Sequence, residues 1–354
     1  MNQGDFIKAG ELYRQALAIL REVGDEQGMG SELGNLGLIS VKQGNPAAGV
    51  RAYEEALRSY REAGDQAGMV GVLGNTGNLF RLQGKLSEAL ARFRQTLDIS
   101  NQLGHRSSAA LSYESIGLVD FDAGDLPGAT KMFQQALALQ RDTGEKSNYA
   151  ETLRNMGRVY FEEDDLVQAG RFLKDALARE QQLGESGSVA ETRLALAELA
   201  CESGRCGEAE KLARDALDAF QGQNEPDEEI VAGAELANAL LAQGKIDAAD
   251  ASLKTPLELA QKSSNIAARL AAMVAHARIL EARHQFGAAE QVAGRALAAT
   301  PKDCFRLRLE VSLALAEFEI RGQRPARGRN RLRKISEAAK ARGFQLIVRE
   351  AAHT

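Results

Sequence analysis

The chain has 354 residues, a net charge of −5 and 44% hydrophobic residues, which is apolar surface enough for a large core. Aromatic residues make up only 5%, Trp is absent, and no apolar run reaches the ~18 residues that a membrane span needs. The N-terminus, MNQGDFIKAG, has neither the basic nor the apolar stretch of a secretory signal, and Cys201, Cys206 and Cys304 form no CxxC pair, so a cytoplasmic protein with reduced, structural thiols is expected.

Taken along the chain, the residues repeat every 40 positions. Gly stands at 4, 44, 84, 124, 204 and 244, with Asp164 and His284 in the same phase. Five residues later comes a small residue (Ala9, Gly49, Ala89, Ala129, Ala169, Ala209, Ala249, Ala289), and seven further on a small residue followed by Leu. Thr96-Leu97 and Pro256-Leu257 depart from that last rule. A second set of turn glycines falls at 24, 64, 104, 144 and 184. Between the turns, Met69, Val72, Leu73, Gly77 and Phe80 recur at helical spacing, as do Ala89, Leu90, Phe93 and Leu97. Each unit therefore reads as two antiparallel helices. One hairpin cannot bury its own apolar stripe, so neighbours must stack.

The predicted organisation is one solenoid over 1–354. Residues 4–24 match only the second helix of a unit, so the chain begins in mid-repeat; a preceding segment or a covering partner is expected there. Repeats follow at 28–64, 68–104, 108–144, 148–184, 188–222, 228–264 and 266–301. A degenerate capping repeat spans 305–342 and a tail 343–354, whose apolar patch from Phe344 to Val348 is expected to fold back on the last unit. Pro256 lies within a second helix and is expected to kink or break it. The Gly or Ala at 37, 77, 117, 157, 197, 237 and 277 sits in mid-helix, where another helix is expected to cross. From Lys302 to Thr354 there are 13 Lys and Arg against 6 Asp and Glu, so the C-terminal end is basic and the rest of the chain acidic. The arginines of 321–334 are expected to face water from a capping helix in which Leu332, Ile335 and Ala339 point inward.

The stretches LGNLGLISVKQGNPAAGVRAYEEAL (33–57), LGNTGNLFRLQGKLSEALARFRQTL (73–97) and LRNMGRVYFEEDDLVQAGRFLKDAL (153–177) resemble the tetratricopeptide repeat (TPR). The resemblance is to its 40-residue variant, found in kinesin light chains and in polarity adaptors carrying Leu-Gly-Asn repeats. It implies an all-α fold, a right-handed superhelical solenoid of antiparallel helix hairpins whose first helices line a concave groove.

Asn35, Asn75 and Asn155, with Ser115 in the same phase, form a ladder on a helix stripe separate from the packing positions. An Asn amide both donates and accepts, so it can pair with a peptide backbone without reading its side chains. In the family, Asn at this place contacts bound peptide, and the resemblance extends that role to these positions. Asn78, Arg81, Arg154 and Arg158 would then tune specificity, with Glu151 and Glu162 placed to neutralise the last two. Leu38, Phe80, Phe121 and Phe161 would add apolar contact. Ala195 stands where the next Asn of a chaperone-type carboxylate clamp belongs, so that mode is not expected.

No enzyme, cofactor or metal site is indicated. GMGSELG (28–34) and TGEKS (143–147) lack the spacing and context of nucleotide-binding loops, and the four carboxylates at 162–165 read as a solvated turn. The expected function is a protein–protein interaction module that binds a peptide or partner segment in the concave groove. The alternative is a regulatory or sensor TPR segment of a larger signalling protein such as a kinase, cyclase or transcription regulator. The expected partner is another protein or peptide, with self-association through the N-terminal helix as a further expectation. Neither membrane nor nucleic acid is expected as a partner, since no aromatic residues interleave with the C-terminal arginines.

Overall fold

The structure is a computed structural model that describes residues 3–354; residues 1 and 2 lie outside the described residues. Among the described residues it contains 18 helices and no strand. In chain order they are α1 (Gln3–Val23), α2 (Glu26–Lys42), α3 (Pro46–Glu62), α4 (Gln66–Leu82), α5 (Leu86–Leu103) and α6 (Arg106–Ala123). There follow α7 (Leu126–Thr143), α8 (Lys146–Glu162), α9 (Leu166–Leu183), α10 (Ser186–Glu202), α11 (Cys206–Gln223) and α12 (Pro226–Leu241). The last six are α13 (Ile246–Ala260), α14 (Ile266–Ala282), α15 (Phe286–Ala299), α16 (Phe305–Arg321), α17 (Pro325–Ala341) and α18 (Gln345–His353).

Local chemistry starts and stops these helices. Asp25, Asn45, Asp65, Asp125 and Asp165 each accept a hydrogen bond from the backbone N–H three residues on, which satisfies a donor the helix cannot. The turn glycines at 24, 44, 64, 84, 104, 124, 144, 184, 204 and 244 all have positive φ, the left-handed conformation that closes a helix without a Cβ clash. Three positions in this register hold other residues in the same conformation: Asp164 (φ 61°), Asn224 (φ 57°) and His284 (φ 60°). Gly4, which shares the turn phase, lies inside α1.

The mid-helix glycines are crossing points, as their spacing implies. A Cβ on Gly77 would sit 2.6 Å from the Phe93 ring, and one on Gly157 would sit 2.8 Å from Leu173; at Gly37 it would overlap Tyr53. In these three hairpins the second helix places a large side chain against its partner's backbone, whereas α11 and α15 have Ala213 and Ala293 in the same phase. Pro256 does not break α13, contrary to expectation, because the opposite helix makes room. A Cβ at Gly233 of α12 would overlap the Pro256 ring. The earlier repeats reverse the volumes, with Leu33 and Ala56 in one core cluster.

The chain divides into two compact units, Met1–Val119 and Asp120–Thr354. In the first, α2 packs on α3 and α4 on α5, while α2 and α4 stand side by side. In the second, α8 with α9, α10 with α11, α12 with α13 and α14 with α15 repeat this arrangement, and the first helices again adjoin one another. The predicted capping helix is α17, with Leu332, Ile335 and Ala339 buried. Its arginines at 327, 329 and 333 face solvent as expected, and Arg327 and Arg331 also reach the buried Glu319.

The tail folds back further than its apolar patch alone suggested. Phe344, Leu346 and Ile347 are buried, and α18 packs on α16 and α17 but also on α8. Arg342 donates to the Ala123 carbonyl at 2.7 Å and stacks on Phe305, whose ring lies where a side chain on Gly124 would have to be. The last helices of this unit therefore meet its first ones, and the face of the first-helix layer not covered by second helices is turned inward.

Candidate functional site

The exposed face of each first helix is a stripe at i, i+3, i+4 and i+7 opposite its packing side. In the first unit, α2 presents Asn35 and Leu38 (46% exposed) there, with Lys42 at its end. In α4 the stripe is Gly71, Gly74, Asn75 and Asn78, and both asparagines are exposed. In α6 it is Leu111, which is exposed, and Ser115, which is buried. Arg81 is half-buried.

Two glycines of this stripe differ from those at the crossings. A Cβ on Gly71 or Gly74 would meet nothing within 4 Å. Each costs α4 roughly 0.5–1 kcal/mol relative to Ala, and no neighbouring helix needs the space. The result is a bare stretch of helix backbone beside Asn75 and Asn78, bordered by the exposed Leu38 and Leu111. Such a surface admits close approach of another backbone, with amide groups at hand to pair with it.

The corresponding stripe in the second unit is a charged wall. Arg154 (6% exposed) donates to Glu180 at 2.9 Å and is also paired with Glu191 and Glu151, so its charge is met within the fold. Asn155 beside it is 4% exposed. Arg158 and Arg306 stack on the buried Phe121 ring from 5.0 and 5.1 Å. Phe161 is half-buried against a core cluster with Leu173 and Leu199, and Phe80 of the first unit is buried, so of the four expected apolar contacts Leu38 is the one classed as exposed.

Around this wall, carboxylates crowd a space they share with fewer guanidinium groups. Glu162 is pushed up to about 8, chiefly by burial; Arg306 opposes the shift, and Glu310 and Glu198 add to it. Glu235 also rises to about 8 through burial and the nearby Glu198, against a hydrogen bond from Asn238 and the charge of Arg278. Glu350 on α18 rises to about 7 through burial and Glu202. Glu198 is exposed, yet crowding by the surrounding protein and the charge of Glu310 push its carboxyl up, against Arg158 and Arg306. Burial works against the charge on Arg306, but Glu310, Glu162, Asp122 and Glu198 outweigh it.

Sequence reasoning missed two features of this unit. Arg349 of α18 grips Asp164 with two hydrogen bonds of 2.8 Å and Glu202 with a third of 2.7 Å. Cys201 and Cys206, expected as reduced thiols, are joined as a disulfide, and Cys304 is a buried thiol outside that bridge. Elsewhere, α1 leaves Ile7, Leu12, Ile19 and Val23 largely exposed, and it is the helix through which self-association is expected. Among the described residues no His, Cys, Asp and Glu group is placed to hold a metal ion, and no helix is long and apolar enough to cross a membrane.

The sequence profile of the MalT-like TPR region matches residues 37–283. No curated protein matches the sequence. Among solved structures, the Rap conjugation gene regulator of plasmid pLS20 in complex with the Phr* peptide is similar over 97% of each chain, with 11% identity and a TM-score of 0.67. A Rap protein complexed with competence and sporulation factor is similar over 95% of this chain and 99% of its own, at 13% identity and a TM-score of 0.62. The apo form of the quorum sensor NprR from B. thuringiensis has the same coverage, at 15% identity and a TM-score of 0.55. At these identities the likeness is one of fold.

Proposed function

Since the chain belongs to the family of MalT-like TPR regions, we propose that it is a protein-interaction module that takes an extended peptide along the exposed first-helix stripe of its first unit. The observation that carries this reading is the pair Gly71 and Gly74, whose open Cβ positions flank the exposed Asn75. Asn35, Asn75 and Asn78 pair with the peptide backbone, Leu38 and Leu111 receive apolar side chains, and Ser115 and Arg81 border the path. Arg154, Asn155 and Arg158 of the second unit serve as internal supports in this reading, because buried and ion-paired groups are costly to free for a ligand. The complex of one solved structure of this fold with the Phr* peptide accords with it. The reading requires no catalytic step.

The test is a displayed peptide library selected on the wild-type chain, with the selected peptides then measured against Asn35→Ala/Asn75→Ala/Asn78→Ala and against Gly74→Leu. Both variants should keep wild-type helicity and lose at least about tenfold in affinity, which corresponds to about 1.4 kcal/mol. Equal binding by both variants sinks the proposal. A second reading, a regulatory segment of a larger signalling protein, draws on the likeness to a gene regulator and a quorum sensor. It requires a change in a covalently attached or associated effector when peptide binds.

A further inference from the structure

The turn between α10 and α11 differs from its counterparts in one pair of residues. At the last-turn and next-start positions of neighbouring repeats the chain has Phe121 with Leu126, Phe161 with Leu166 and Leu241 with Ile246. Here the same two positions are Cys201 and Cys206, with their Cα atoms 4.2 Å apart and their sulfurs bonded. The loop between them is otherwise an ordinary turn of this fold. Gly204 is left-handed, and Arg205 donates its backbone N–H to the Ala200 carbonyl at 2.8 Å. Neither cysteine is fully buried, and Ser203, Gly204 and Arg205 are exposed, so small reagents can reach the sulfurs.

The two sulfurs are not equivalent. Cys206 is the first residue of α11, where the unpaired N–H groups of the helix present partial positive charge; Arg205 before it is paired with Glu208 of the same first turn. Cys201 lies in the last turn of α10, at the negative end of that helix. Negative charge is therefore best accommodated on the Cys206 sulfur. Next to Cys201, inside the bridged loop, is Glu202, the carboxylate that receives Arg349 of α18 at 2.7 Å. The turn that the cysteines close thus positions one of the two carboxylates holding the C-terminal helix.

We propose that Cys201 and Cys206 form a reversible dithiol–disulfide site that reacts with low-molecular-weight disulfides such as oxidised glutathione and sets how firmly α18 is held. In the oxidising direction, the Cys206 thiolate attacks one sulfur of the glutathione disulfide. An S–S bond to Cys206 forms and one glutathione thiolate leaves. The Cys201 thiol then gives up its proton to solvent and attacks the Cys206 sulfur, expelling the second glutathione. The protein loses two electrons, the low-molecular-weight disulfide gains them, and two glutathione molecules are released. In the reduced form the covalent tie between the end of α10 and the start of α11 is gone, and only the backbone hydrogen bonds of the turn hold it. Glu202 is then less firmly placed, and Arg349 retains only Asp164 as a well-held partner. Cys304 takes no part, since it is buried and its thiol is pushed up to about 11, mainly by that burial.

The experiment equilibrates the full chain in buffers of varied reduced-to-oxidised glutathione ratio, traps free thiols by alkylation and counts them by mass spectrometry. Hydrogen exchange of residues 345–353 is followed on the same samples. The expected result is a single two-electron transition at Cys201 and Cys206, Cys304 unchanged, and several-fold faster exchange of α18 in the reduced form. Cys201→Ser should stop at a glutathione adduct on Cys206, whereas Cys206→Ser should form none, with helicity of both checked by circular dichroism. The proposal is overturned if the two thiols stay alkylatable at every ratio. It is equally overturned if α18 exchanges at one rate in both forms, or if the adduct forms on Cys201.

Discussion

Arg349 and Asp164, 185 residues apart in sequence, meet through two parallel hydrogen bonds of 2.8 Å. Asp164 occupies a left-handed position where most other repeats have glycine. A non-glycine residue there costs roughly 1–2 kcal/mol, and the ion pair with α18 offsets it. Arg349→Ala should therefore destabilise the second unit by about 1–2 kcal/mol, a figure kept low because the arginine is about one-third exposed. Asp164→Gly should cost less than Asp164→Ala, since only glycine relieves the backbone while the ion pair is lost in both. Denaturant melts of the three variants give the ranking; a milder effect from Asp164→Ala would contradict it.

The glycines of α4 should respond to alanine with opposite signs. Gly71→Ala and Gly74→Ala fill open space and gain helix propensity, which predicts a stabilisation of roughly 0.5–1 kcal/mol each. Gly77→Ala pushes a methyl group into the Phe93 ring and should cost about 1–3 kcal/mol. If the first two weaken peptide binding while raising the melting temperature, the stripe has retained glycine at the expense of stability. Three single substitutions and a thermal melt suffice.

Gly233 and Pro256 should behave as a coupled pair. Gly233→Ala overpacks the wild-type helix crossing but finds space once Pro256 is also Ala. A double-mutant cycle should return a coupling energy of about 1–3 kcal/mol, and additive effects would mean the two residues are independent.

Stability should depend on pH through the carboxyl groups of the second unit. Glu162 and Glu235 at about 8, and Glu350 at about 7, hold protons more tightly in the folded chain than the ordinary carboxyl value near 4.5. The folded state therefore binds more protons between pH 4.5 and 8, and stability is lost as pH rises through that window. The melting temperature should be higher at pH 5.5 than at pH 8.5, by roughly 5 °C for a unit of this size. Glu162→Gln should flatten the slope. A melting temperature that rises with pH would contradict the assignment.

The 40-residue phase made much of the fold legible. Glycine in mid-helix at 37, 77 and 157 implied a crossing, and Tyr53, Phe93 and Leu173 lie on those glycines. The inward face of the capping helix could be read from Leu332, Ile335 and Ala339 because its apolar spacing is helical. Pro256 was misread because its compensation, Gly233, lies in another helix and carries no local mark. The asparagine positions were visible as a ladder, but the same residue type is exposed at 75 and buried at 155, and burial depends on neighbours that a repeat pattern does not name. The Arg349 contact left one trace, the aspartate at 164 in a glycine phase. The cysteine pair left another, two thiols replacing an apolar pair across a turn.

The return of α18 to α8 changes what kind of object the second unit is. A stack of hairpins touching only nearest neighbours behaves as a linear chain, in which units melt or are deleted from an end with local effect. Contacts such as Arg342 with Ala123, 219 residues distant, join the two ends of that line. Closing so long a loop has an entropic cost that is recovered only when the last contact forms, and contacts of high sequence separation slow folding. Removal of ten residues at the C-terminus should therefore be felt by the repeats at the other end of this unit and not by the last hairpin alone.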